Sequence, residues 1–397
     1  MTDFGWTRDQ FHLPMGMIYL DGNSLGPLPK ATPARLERLL SEEWGEQLIS
    51  GWNGCGWMEM PRRLGDRIGR LIGAEPGHVV VGDTLSIKVY QALAAALALV
   101  PGRHVILSDT GNFPSDLYMA EGLIKLLGAP YELRLADPLA LEEAITEEVA
   151  VLLVTEVDYR TGRRHDMAAL TRKAHRMGAR VVWDLAHSAG ALPVEVAAGA
   201  ADFAVGCTYK YLNAGPGAPA FIYVAPRHAD LAEPALSGWL GHEAPFAFDQ
   251  SYRPGAGIER MRVGTPPVMQ MAALEAALDV WDRVNMADLR RRSLDLTTLM
   301  MDLVEDQCPG LSLATPREEE ARGSQVSFRF EHGYAAMQAL IDQGVVGDFR
   351  APDIMRFGVT PLYIGEEEIH EAVEILARIL RGATWDQPKY QQRKRVT

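Results

Sequence analysis

Cysteine is scarce in this chain of 397 residues, and its spacing excludes two classes of protein. The three cysteines, Cys55, Cys207 and Cys308, lie far apart in the sequence. Isolated thiols of this kind form neither the disulfide framework of a small secreted domain nor the closely paired ligands of a zinc site. We therefore predict no metal centre, and we expect a reducing compartment.

Positive charge is also in short supply, with 39 Lys+Arg against 52 Asp+Glu and a net charge of −13. Nonspecific nucleic-acid binding needs a basic surface, so this balance argues against a nucleic-acid partner. The longest apolar stretch, Ala92 to Val100, is much shorter than the roughly 20 residues of a membrane-spanning helix. The first residues also lack the basic and apolar regions of a signal peptide. We expect a cytoplasmic protein with no membrane partner.

Only seven of the 39 basic residues are lysine, and one of the seven has an unusual setting. Lys210 closely follows an apolar, strand-like run that begins at Phe203. The other six are predicted to lie in a turn, on helix faces or in the tail: Lys30, Lys88, Lys125, Lys173, Lys389 and Lys394. A single lysine is more often a solvated loop residue than a catalytic one, so Lys210 needs a second observation beside it.

That second observation is Asp184, which ends another apolar run 26 residues upstream. An acid at one strand end and a lysine at the next can hold pyridoxal phosphate (PLP). The lysine attaches the cofactor covalently, and the carboxylate keeps the pyridine nitrogen protonated. His187, three residues further on, could stack on the ring or hydrogen-bond to it. These residues predict an enzyme of amino-acid chemistry.

Short apolar runs alternate with helical patterns from Val79 to Val224, which predicts a mostly parallel sheet covered on both faces. Two long helices are predicted next, at 266–284 and 286–307. The remaining sequence predicts a smaller α+β unit, so the fold class is α/β with a larger and a smaller part. Before the first strand, Thr32-Pro33 predicts the start of a helix that continues to Ile49.

Two segments between a predicted strand and a predicted helix, 82–86 and 112–116, are candidates for binding the cofactor phosphate. Backbone N–H groups at the start of a helix bind anions. Phe113, in the second segment, could stack on the pyridine ring. Ordinary helix capping by Ser, Thr or Asp explains either segment taken singly. Together, the strand ends near 82, 109, 184 and 208 predict one crevice, where open α/β sheets bind ligands.

An amino-acid substrate also needs a partner for its α-carboxylate, and a bidentate arginine suits that role. Arg356 lies on a predicted strand of the smaller unit. Since 39 Lys+Arg include seven lysines, the chain has 32 arginines. The residue types alone therefore leave the choice among these arginines open.

These features, in this order, resemble the kynureninase family, within the class V branch of the fold-type I PLP enzymes. The match covers most of the chain. Its Gly-Asn-Ser-Leu-Gly and Phe-Pro-Ser-Asp segments are the most specific, whereas Asp-Leu-Ala-His and Tyr-Lys-Tyr-Leu-Asn are common to the class V branch. The matching segments are 20–27, 112–118, 158–162, 184–190, 208–213 and 238–239, followed by Arg356 and 360–363.

The resemblance implies a fold and an assembly. The fold is that of a fold-type I PLP-dependent transferase, with a mostly parallel seven-stranded sheet in the large domain and a smaller α+β domain. Residues 1–50 would be an N-terminal segment that packs with the small domain. Residues 51–284 would form the large PLP-binding domain and residues 285–397 the small one. The resemblance also implies a homodimer whose active sites are shared across the interface.

The resemblance further implies roles for individual residues. The catalytic residues would be Lys210, which attaches PLP and removes a substrate proton, Tyr209 as an acid and phosphate ligand, and Asp184. The other cofactor-binding residues would be Leu85, Ser86, Phe113, Asp116, Thr155 and His187, with Trp239 and Thr265 reaching the phosphate region from the partner subunit. The substrate-binding residues would be Ser24 and Trp52 at the aromatic end and Arg356 at the α-carboxylate.

The implied reaction is hydrolysis of the Cβ–Cγ bond of L-kynurenine or 3-hydroxy-L-kynurenine, which gives L-alanine and anthranilate or 3-hydroxyanthranilate. It serves tryptophan degradation and NAD precursor synthesis. Trp52 is similar to the bacterial form of a position that carries histidine in animal members, and Leu240 stands where an aromatic residue is common. These two residues favour the unhydroxylated substrate.

Two other classes of function remain open on the sequence. One is another class V enzyme: an aminotransferase, or a cysteine desulfurase, which needs a mobile nucleophilic cysteine. Cys308 is the only cysteine well downstream of Lys210, but it stands at the predicted end of a helix. The other is a catalytically silent PLP fold that serves as a binding module. The presence of Lys210, Asp184, Tyr209 and Arg356 together argues against a silent fold.

Overall fold

The structure is a computed structural model, and it describes residues 1–393. Lys394, predicted to lie in the tail, and the last four residues of the predicted small domain fall outside the described residues. Within residues 1–393, no helix is both long enough and apolar enough to cross a membrane.

The elements of the described chain are as follows. The strands are β1 Phe11–His12, β2 Ile18–Tyr19, β3 Leu28–Pro29, β4 Val79–Val81, β5 Val105–Asp109, β6 Glu132–Ala136, β7 Val149–Thr155, β8 Arg180–Asp184, β9 Phe203–Gly206, β10 Phe221–Val224, β11 Ser312–Leu313, β12 Gln325–Arg329, β13 Val345–Val346, β14 Asp348–Arg350 and β15 Ile354–Gly358. The α-helices are α1 Phe4–Asp9, α2 Thr32–Arg38, α3 Gly51–Gly54, α4 Met60–Leu71, α5 Leu85–Ala98, α6 Pro114–Leu127, α7 Leu141–Ala144, α8 Met167–Arg176, α9 Val268–Trp281, α10 Met286–Gln307, α11 Gly333–Asp342, α12 Glu366–Arg381 and α13 Pro388–Gln391.

The largest sheet has seven strands in the order β4-β10-β9-β8-β7-β5-β6. Only β10 runs antiparallel to its neighbours, and the other pairs are parallel. This arrangement confirms the predicted mostly parallel seven-stranded sheet. It also directs the carboxyl ends of β5, β7, β8 and β9 to the same edge of the sheet.

Alternate residues of the central strands enter two different cores, because helices cover both faces of the sheet. Leu152 and Val154 of β7 pack into one hydrophobic cluster, whereas Val151 and Leu153 pack into the other. Every residue of β7 is buried for this reason. The short apolar runs in the sequence are therefore strands with no solvent-facing side.

The second sheet has four antiparallel strands in the order β11-β12-β15-β14. The long helix α10 leads into it and has the bounds that the sequence predicts, Met286–Gln307. Helices α10 and α12 pack against each other beside this sheet. The boundaries at residues 50 and 284 remain a prediction, because the strands alone do not define where one domain ends.

The N-terminal segment joins the second sheet region through its backbone. Strand β2 pairs in parallel with β13, and the N–H of Leu20 donates to the carbonyl of Val346 at 2.7 Å. The N–H of Gly358 donates in turn to the carbonyl of Leu20 at 2.7 Å. Further along, the N–H of Gly26 donates to the carbonyl of Tyr209 at 2.8 Å. This segment therefore contacts both the small sheet and the loop that carries Lys210.

One predicted helix differs from the structure. The sequence predicts a regular helix at 34–49, but the α-helix ends at Arg38. The backbone continues as a wider π-helical turn at Leu39–Trp44 and then as a 3₁₀ turn at Leu48–Ser50. The side chains of Leu48 and Ile49 are exposed, so packing does not hold this end in regular helix geometry. Helical propensity alone is too weak to do so.

Candidate active site

The predicted site residues come together at the carboxyl edge of the seven-stranded sheet. Thr155 ends β7 and stands opposite Asp184, which ends β8. Asp184 in turn stands opposite Val205 of β9, whose following loop carries Lys210. Because parallel strands end at the same edge, residues distant in the sequence meet there.

Lys210 is buried, with 9% of its surface exposed. Its Nζ lies 2.9 Å from His187 Nε2, and it also lies over the rings of Phe113 and Tyr209, at 5.7 and 5.9 Å from their centroids. Burial and the positive charge of Lys210 hold the pKa of His187 well below its usual range. The imidazole is therefore neutral, and its Nε2 can accept a hydrogen bond from the lysine amine.

Asp184 and Asp116 form a pair of buried acids beside Lys210. Burial raises the pKa of Asp184, while the charge of Lys210 and the N–H of Ala186 act in the opposite direction. The pKa of Asp116 is raised well above its usual range by burial and by the negative charge of Asp184. One oxygen of Asp116 has no hydrogen-bond partner. Two such carboxyl groups fit a site that receives a further cationic N–H group, as the protonated ring nitrogen of PLP would provide.

The hydroxyl of Thr155 connects Asp184 to the neighbouring strand. It lies 3.2 Å from the Asp184 carboxylate and 2.8 Å from the side-chain oxygen of Asn112. The amide nitrogen of Asn112 donates to the hydroxyl of Ser108 at 2.9 Å. This buried network orients Asp184, and its members lie at a strand end or within three residues of one.

The two predicted phosphate-binding segments adjoin each other. Helix α5 begins at Leu85 and α6 begins at Pro114, and the hydroxyls of Ser86 and Ser115 lie 3.1 Å apart. Neither helix start receives a hydrogen bond from the side chain of its capping residue. At α5 the first N–H groups therefore remain open to an anion. At α6, Pro114 has no N–H, the N–H of Asp116 donates to the carbonyl of Phe113 at 3.0 Å, and the N–H of Phe113 donates to the side-chain oxygen of Asn112 at 2.7 Å, which leaves the N–H of Ser115.

Tyr209 keeps its proton at neutral pH. The neighbouring thiol of Cys207 and the burial of the phenol raise the pKa of Tyr209 far above its usual value. The ring is packed against the main hydrophobic core, which fixes its position next to Lys210. A protonated, partly buried phenol in this place can donate a proton or a hydrogen bond.

Arg356 approaches the crevice from β15 of the small sheet, where it is almost fully buried. Its Nε and Nη2 donate to both oxygens of Asp348, the residue directly opposite on β14. Nη2 also donates to the Ser24 hydroxyl at 3.0 Å, and Nη1 donates to the carbonyl of Tyr159. The ring of Tyr159 contacts Phe113 edge to face at 5.1 Å. A continuous set of contacts therefore links Arg356 to Lys210.

The sequence reasoning missed Asp348 and its neighbour Arg350, which also pairs with Asp348 at 2.8 Å. A signal for them exists in the sequence. Two apolar runs around 345–349 and 355–359 are separated by Ala351, Pro352 and Asp353, which is typical of a β-hairpin. A hairpin with this turn places Asp348 opposite Arg356.

Three predicted residues lie apart from Lys210 within this chain. Trp52 contacts Trp57 edge to face at 5.5 Å, and it lines an apolar groove together with Thr265. Trp239 is 41% exposed and contacts Phe246. In residues 1–393, none of the three hydrogen-bonds to Lys210, Asp184 or Ser86. Leu240, next to Trp239, is buried.

Cys308 has the structural position that its sequence context predicts. It caps the end of α10, and its N–H donates to the carbonyl of Val304 at 2.8 Å. The side chain is 1% exposed, and burial raises the pKa of the thiol to about 11. A buried, protonated thiol in the core lacks the mobility and the charge that a nucleophile requires.

Comparison with known proteins shows sequence similarity to one family over nearly the whole chain. Residues 289–376 match the family described as the kynureninase C-terminal domain. Over 397 residues, the chain is 52% identical to a kynureninase from Pseudomonas fluorescens. The aligned region covers 98% of this chain and 95% of that protein. It is 51% identical, with the same coverage, to a kynureninase from Burkholderia pseudomallei (strain 1106a).

Solved structures share the fold at low sequence identity. The apo structure of a cysteine desulfurase from Thermococcus onnurineus NA1 superposes with a TM-score of 0.79 at 20% identity, over 95% of this chain and 98% of that one. The cysteine desulfurase CsdA from Escherichia coli gives a TM-score of 0.80 at 20% identity, over 96% and 99%. At this identity the similarity shows the fold alone, and it confirms the predicted fold-type I architecture.

Proposed function

The chain belongs to the kynureninase family, and on that premise we propose that it hydrolyses L-kynurenine to anthranilate and L-alanine with PLP as its cofactor. One observation of the geometry carries the proposal: a buried lysine in the loop after β9 and a buried arginine on β15 of the other sheet reach a single crevice. Lys210 contacts Phe113, Phe113 contacts Tyr159, and the Tyr159 carbonyl accepts from Arg356. An amino acid bound there would have its carboxylate at Arg356 and its α-carbon toward Lys210.

We propose that four groups of residues hold the cofactor. Asp184 would hold a proton on the ring nitrogen, and Phe113 and His187 would contact the ring. The open N–H groups at the starts of α5 and α6 would bind the phosphate, because helix N-termini favour anions. Bound PLP would supply an electron-accepting ring that lowers the energy of negative charge beside the substrate nitrogen. The other cofactor-lining residues would be Leu85, Ser86, Asp116, Thr155 and Tyr209.

Lys210 is the proposed base of the reaction. When its Nζ is a free amine, it takes the proton from the α-carbon of the substrate. The neutral His187 beside it, at 2.9 Å, accepts a hydrogen bond and orients the amine lone pair and hydrogens. Burial of both groups excludes bulk water, which would otherwise compete for that proton.

Tyr209 is the proposed acid. Water adds to the γ-carbonyl of kynurenine, the Cβ–Cγ bond breaks, and anthranilate leaves with the carboxyl group so formed. The Tyr209 hydroxyl, which keeps its proton at neutral pH, would then donate that proton to Cβ. Lys210 would return the proton it took to the α-carbon, which completes L-alanine. General acid catalysis of this kind contributes about two to four orders of magnitude in rate.

A direct assay tests the proposal. Purified protein with added PLP is incubated with L-kynurenine and, separately, with 3-hydroxy-L-kynurenine, while anthranilate fluorescence and substrate loss are followed. We expect turnover of both substrates to be detectable and turnover of L-kynurenine to be the faster. Cofactor absorbance without turnover of either substrate would contradict the proposed activity and favour a silent binding fold.

The Lys210→Ala variant tests the proposed base. The rate of kynurenine turnover by this variant should fall by far more than the roughly two to four orders of magnitude that one general acid or base contributes. The reason is that Lys210 serves both cofactor attachment and proton transfer. The matched control is Lys125→Ala, which alters an exposed lysine on α6. Turnover of kynurenine by Lys210→Ala near the wild-type rate would rule out this role for Lys210.

We propose that the protein is a homodimer in the cytoplasm. An exposed apolar groove supports the dimer: Ile49 is 80% exposed, Leu48 62% and Trp44 52%. The groove also contains Thr265, which is expected to reach the phosphate region of a partner's site, and Trp52, which is expected at the aromatic end of the substrate. A second copy on this surface would cover the apolar side chains and bring both residues to the neighbouring crevice. The free thiols Cys55, Cys207 and Cys308 support a reducing compartment.

A further inference from the structure

A second arginine of the small sheet lies beside the proposed carboxylate-binding residue. Arg350 ends β14 two residues after Asp348, so both side chains stand on the same face of the sheet. Its Nη2 lies 2.8 Å from Asp348 Oδ2, and its Nη1 donates to the carbonyl of Phe349 at 3.0 Å. The Arg350 side chain is 36% exposed, whereas that of Asp348 is 1% exposed.

Arg356 has few hydrogen-bond donors left for a ligand. A guanidinium carries five N–H groups. In Arg356, two of them bind the Asp348 carboxylate, one binds the Ser24 hydroxyl and one binds the Tyr159 carbonyl. One N–H remains, which is too few for the two parallel hydrogen bonds of a bidentate carboxylate complex.

Arg350 has the donors that Arg356 lacks. Only two of its five N–H groups are engaged, one with Asp348 and one with the Phe349 carbonyl. Its charge also reaches the crevice, because Arg350 and Arg356 both contribute to the lowered pKa of His187, after burial and Lys210. The geometry places the two guanidinium groups on the same carboxylate, that of Asp348, with unused donors on Arg350.

The charges around Asp348 fit an incoming anion. One carboxylate, that of Asp348, lies between two guanidinium groups, so these three side chains carry one net positive charge. Ser24 donates to the same carboxylate at 2.6 Å, which completes its hydrogen bonds. An α-carboxylate of charge −1 would neutralise these three side chains when Asp21, which lies beside Asp348, is protonated.

We propose that Arg350 is a second residue that binds the substrate α-carboxylate, together with the remaining N–H of Arg356. Asp348 is then a positioning residue that holds both guanidinium groups. This inference rests on the proposed amino-acid substrate, and it adds a specificity-determining residue to the site. It predicts that Arg350 discriminates between ligands that carry a carboxylate and those that lack one.

The test compares two ligands on the PLP-loaded enzyme. Arg350→Gln removes the charge, and Arg350→Lys keeps the charge and the ion pair but loses the planar donor pair. For each variant, KM and kcat are measured with L-kynurenine, and the inhibition constant is measured for the decarboxylated amine analogue of kynurenine. We expect KM for kynurenine to rise at least tenfold in Arg350→Gln and less in Arg350→Lys. The inhibition constant of the analogue should change by less than twofold.

The matched control is Arg329→Gln, on β12 of the same sheet. Arg329 pairs with Asp353 at 3.1 Å and has a side chain that is 50% exposed. Arg329→Gln should leave KM for kynurenine and the inhibition constant of the analogue unchanged. Cofactor absorbance and thermal midpoint are recorded for every variant, so that a folding defect is separated from a binding defect. If Arg350→Gln fails to fold, Arg350→Lys alone tests the inference. KM for kynurenine should then rise in that variant while the inhibition constant of the analogue stays nearly unchanged.

The outcomes separate this inference from the proposed function. Equal losses for kynurenine and for the analogue would show a purely structural role for Arg350 and overturn the inference, as would an unchanged KM. Absence of kynurenine turnover by the wild-type enzyme would instead overturn the proposed function. In that case, titration of cofactor absorbance with L-alanine and with ethylamine still tests Arg350, since only L-alanine carries a carboxylate.

Discussion

Asp21 is a buried acid of the crevice whose negative charge is weakly stabilised. It belongs to the N-terminal segment and lies beside Asp348 in the small sheet region. Burial and the negative charge of Asp348 raise the pKa of Asp21 to about 7. One of its oxygens has no hydrogen-bond partner. Near neutral pH, Asp21 therefore changes its protonation state inside the folded protein.

This shift predicts a pH-dependent stability. The folded protein retains the proton of Asp21 up to about pH 7, whereas an unfolded chain releases it near pH 3.9. The folded state thus binds more protons in this window, and the free energy of unfolding falls as pH rises from about 4 to 7. A shift of this size corresponds to a free energy on the order of 4 kcal/mol.

Asp21→Asn should remove this contribution. The unfolding free energy of the variant minus that of wild type should be larger at pH 8 than at pH 5. Urea unfolding of both proteins at both pH values measures this difference. Asp386→Asn, which alters an exposed acid, is the control and should change little at either pH. The same stability difference between Asp21→Asn and wild type at pH 5 and pH 8 would contradict the buried-acid explanation.

At the scale of single residues, the sequence was informative where a side chain directly follows a strand. Asp184, Thr155 and Lys210 were found in this way, because apolar runs mark strands and parallel strands end together. Lys88 was not: the sequence predicts a lysine on a solvated helix face, but the structure buries it, with 1% of its surface exposed. Its partners are distant in the sequence, and no local pattern reveals them.

At the scale of elements, Lys88 ties helix α5 to a distant loop. Its three ammonium hydrogens have three acceptors: Asp83 at 2.9 Å, Gln91 at 2.9 Å and the Met261 carbonyl at 3.0 Å. Met261 precedes the segment that leads to Thr265. The start of α5, which is proposed to bind phosphate, is therefore fastened to the loop proposed to reach the partner subunit.

Lys88→Met should destabilise the protein. It leaves the buried side-chain oxygen of Gln91 without a donor, which costs roughly 1–3 kcal/mol, and it leaves the Met261 carbonyl with only the Gln91 amide, at 3.4 Å. Urea unfolding measures the loss, and the PLP dissociation constant shows whether the start of α5 has moved. Lys125→Met, on the exposed face of α6, should change stability by less than about 0.5 kcal/mol. A loss of that small size in Lys88→Met would contradict the role of the buried ammonium.

The N-terminal segment is a second element whose contact with the site is specific. At Gly26, a methyl group would lie 2.4 Å from both the Lys210 carbonyl and the Asn213 side chain. The backbone of this segment therefore approaches the lysine loop more closely than any other residue type permits.

Gly26→Ala should push this segment away from Lys210. Overpacking of this kind costs about 1–3 kcal/mol, and we expect lower unfolding free energy together with weaker PLP binding. Gly310→Ala is a suitable comparison, because a methyl group there meets nothing within 4 Å. Wild-type stability and wild-type cofactor affinity in Gly26→Ala would show that the segment can shift without consequence.

Among the elements, strand β6 shows where sequence patterns fail. Glu132–Ala136 is an edge strand in which three of the five residues are exposed and none is fully buried, so it lacks the continuous apolar run of the central strands. Fully buried strands such as β7 were found readily, because helices cover both of their faces. The sequence analysis did not predict β6 because of its position at the edge of the sheet. Weak pairing is not the reason, since β6 pairs with β5 along its whole length.

At the scale of the whole molecule, the proposed dimer makes a prediction about association. Ile49→Glu places a charge on the exposed apolar groove, and burying an unpaired charge is unfavourable. We expect the dimer dissociation constant to rise at least tenfold, or about 1.4 kcal/mol, as measured by sedimentation velocity over a concentration series. Leu139→Glu alters another exposed aliphatic residue, 86% accessible, and serves as the control. Wild-type association in Ile49→Glu would place the interface elsewhere.

The whole architecture was more predictable than the detail of the site. The alternation of strands and helices was sufficient for the large sheet, and the resemblance supplied the number of strands. The pairing of Asp348 with Arg350 and Arg356 required the register of a hairpin, which the sequence indicates only weakly. The open helix starts at Leu85 and Pro114 required coordinates, because a capped and an uncapped helix start have the same residue types.

The connection between the two sheets has a consequence for protein engineering. The loop at 158–164 meets the small sheet region mainly through main-chain atoms: the carbonyl of Tyr159 accepts from Arg356 and Gln325, that of Thr161 from Thr315, and that of Gly162 from the N–H of Gly323. Main-chain acceptors do not depend on which side chains the loop carries. Chimaeras that exchange the C-terminal part between relatives should therefore keep this junction, as long as the loop keeps its length and the incoming part keeps its donors.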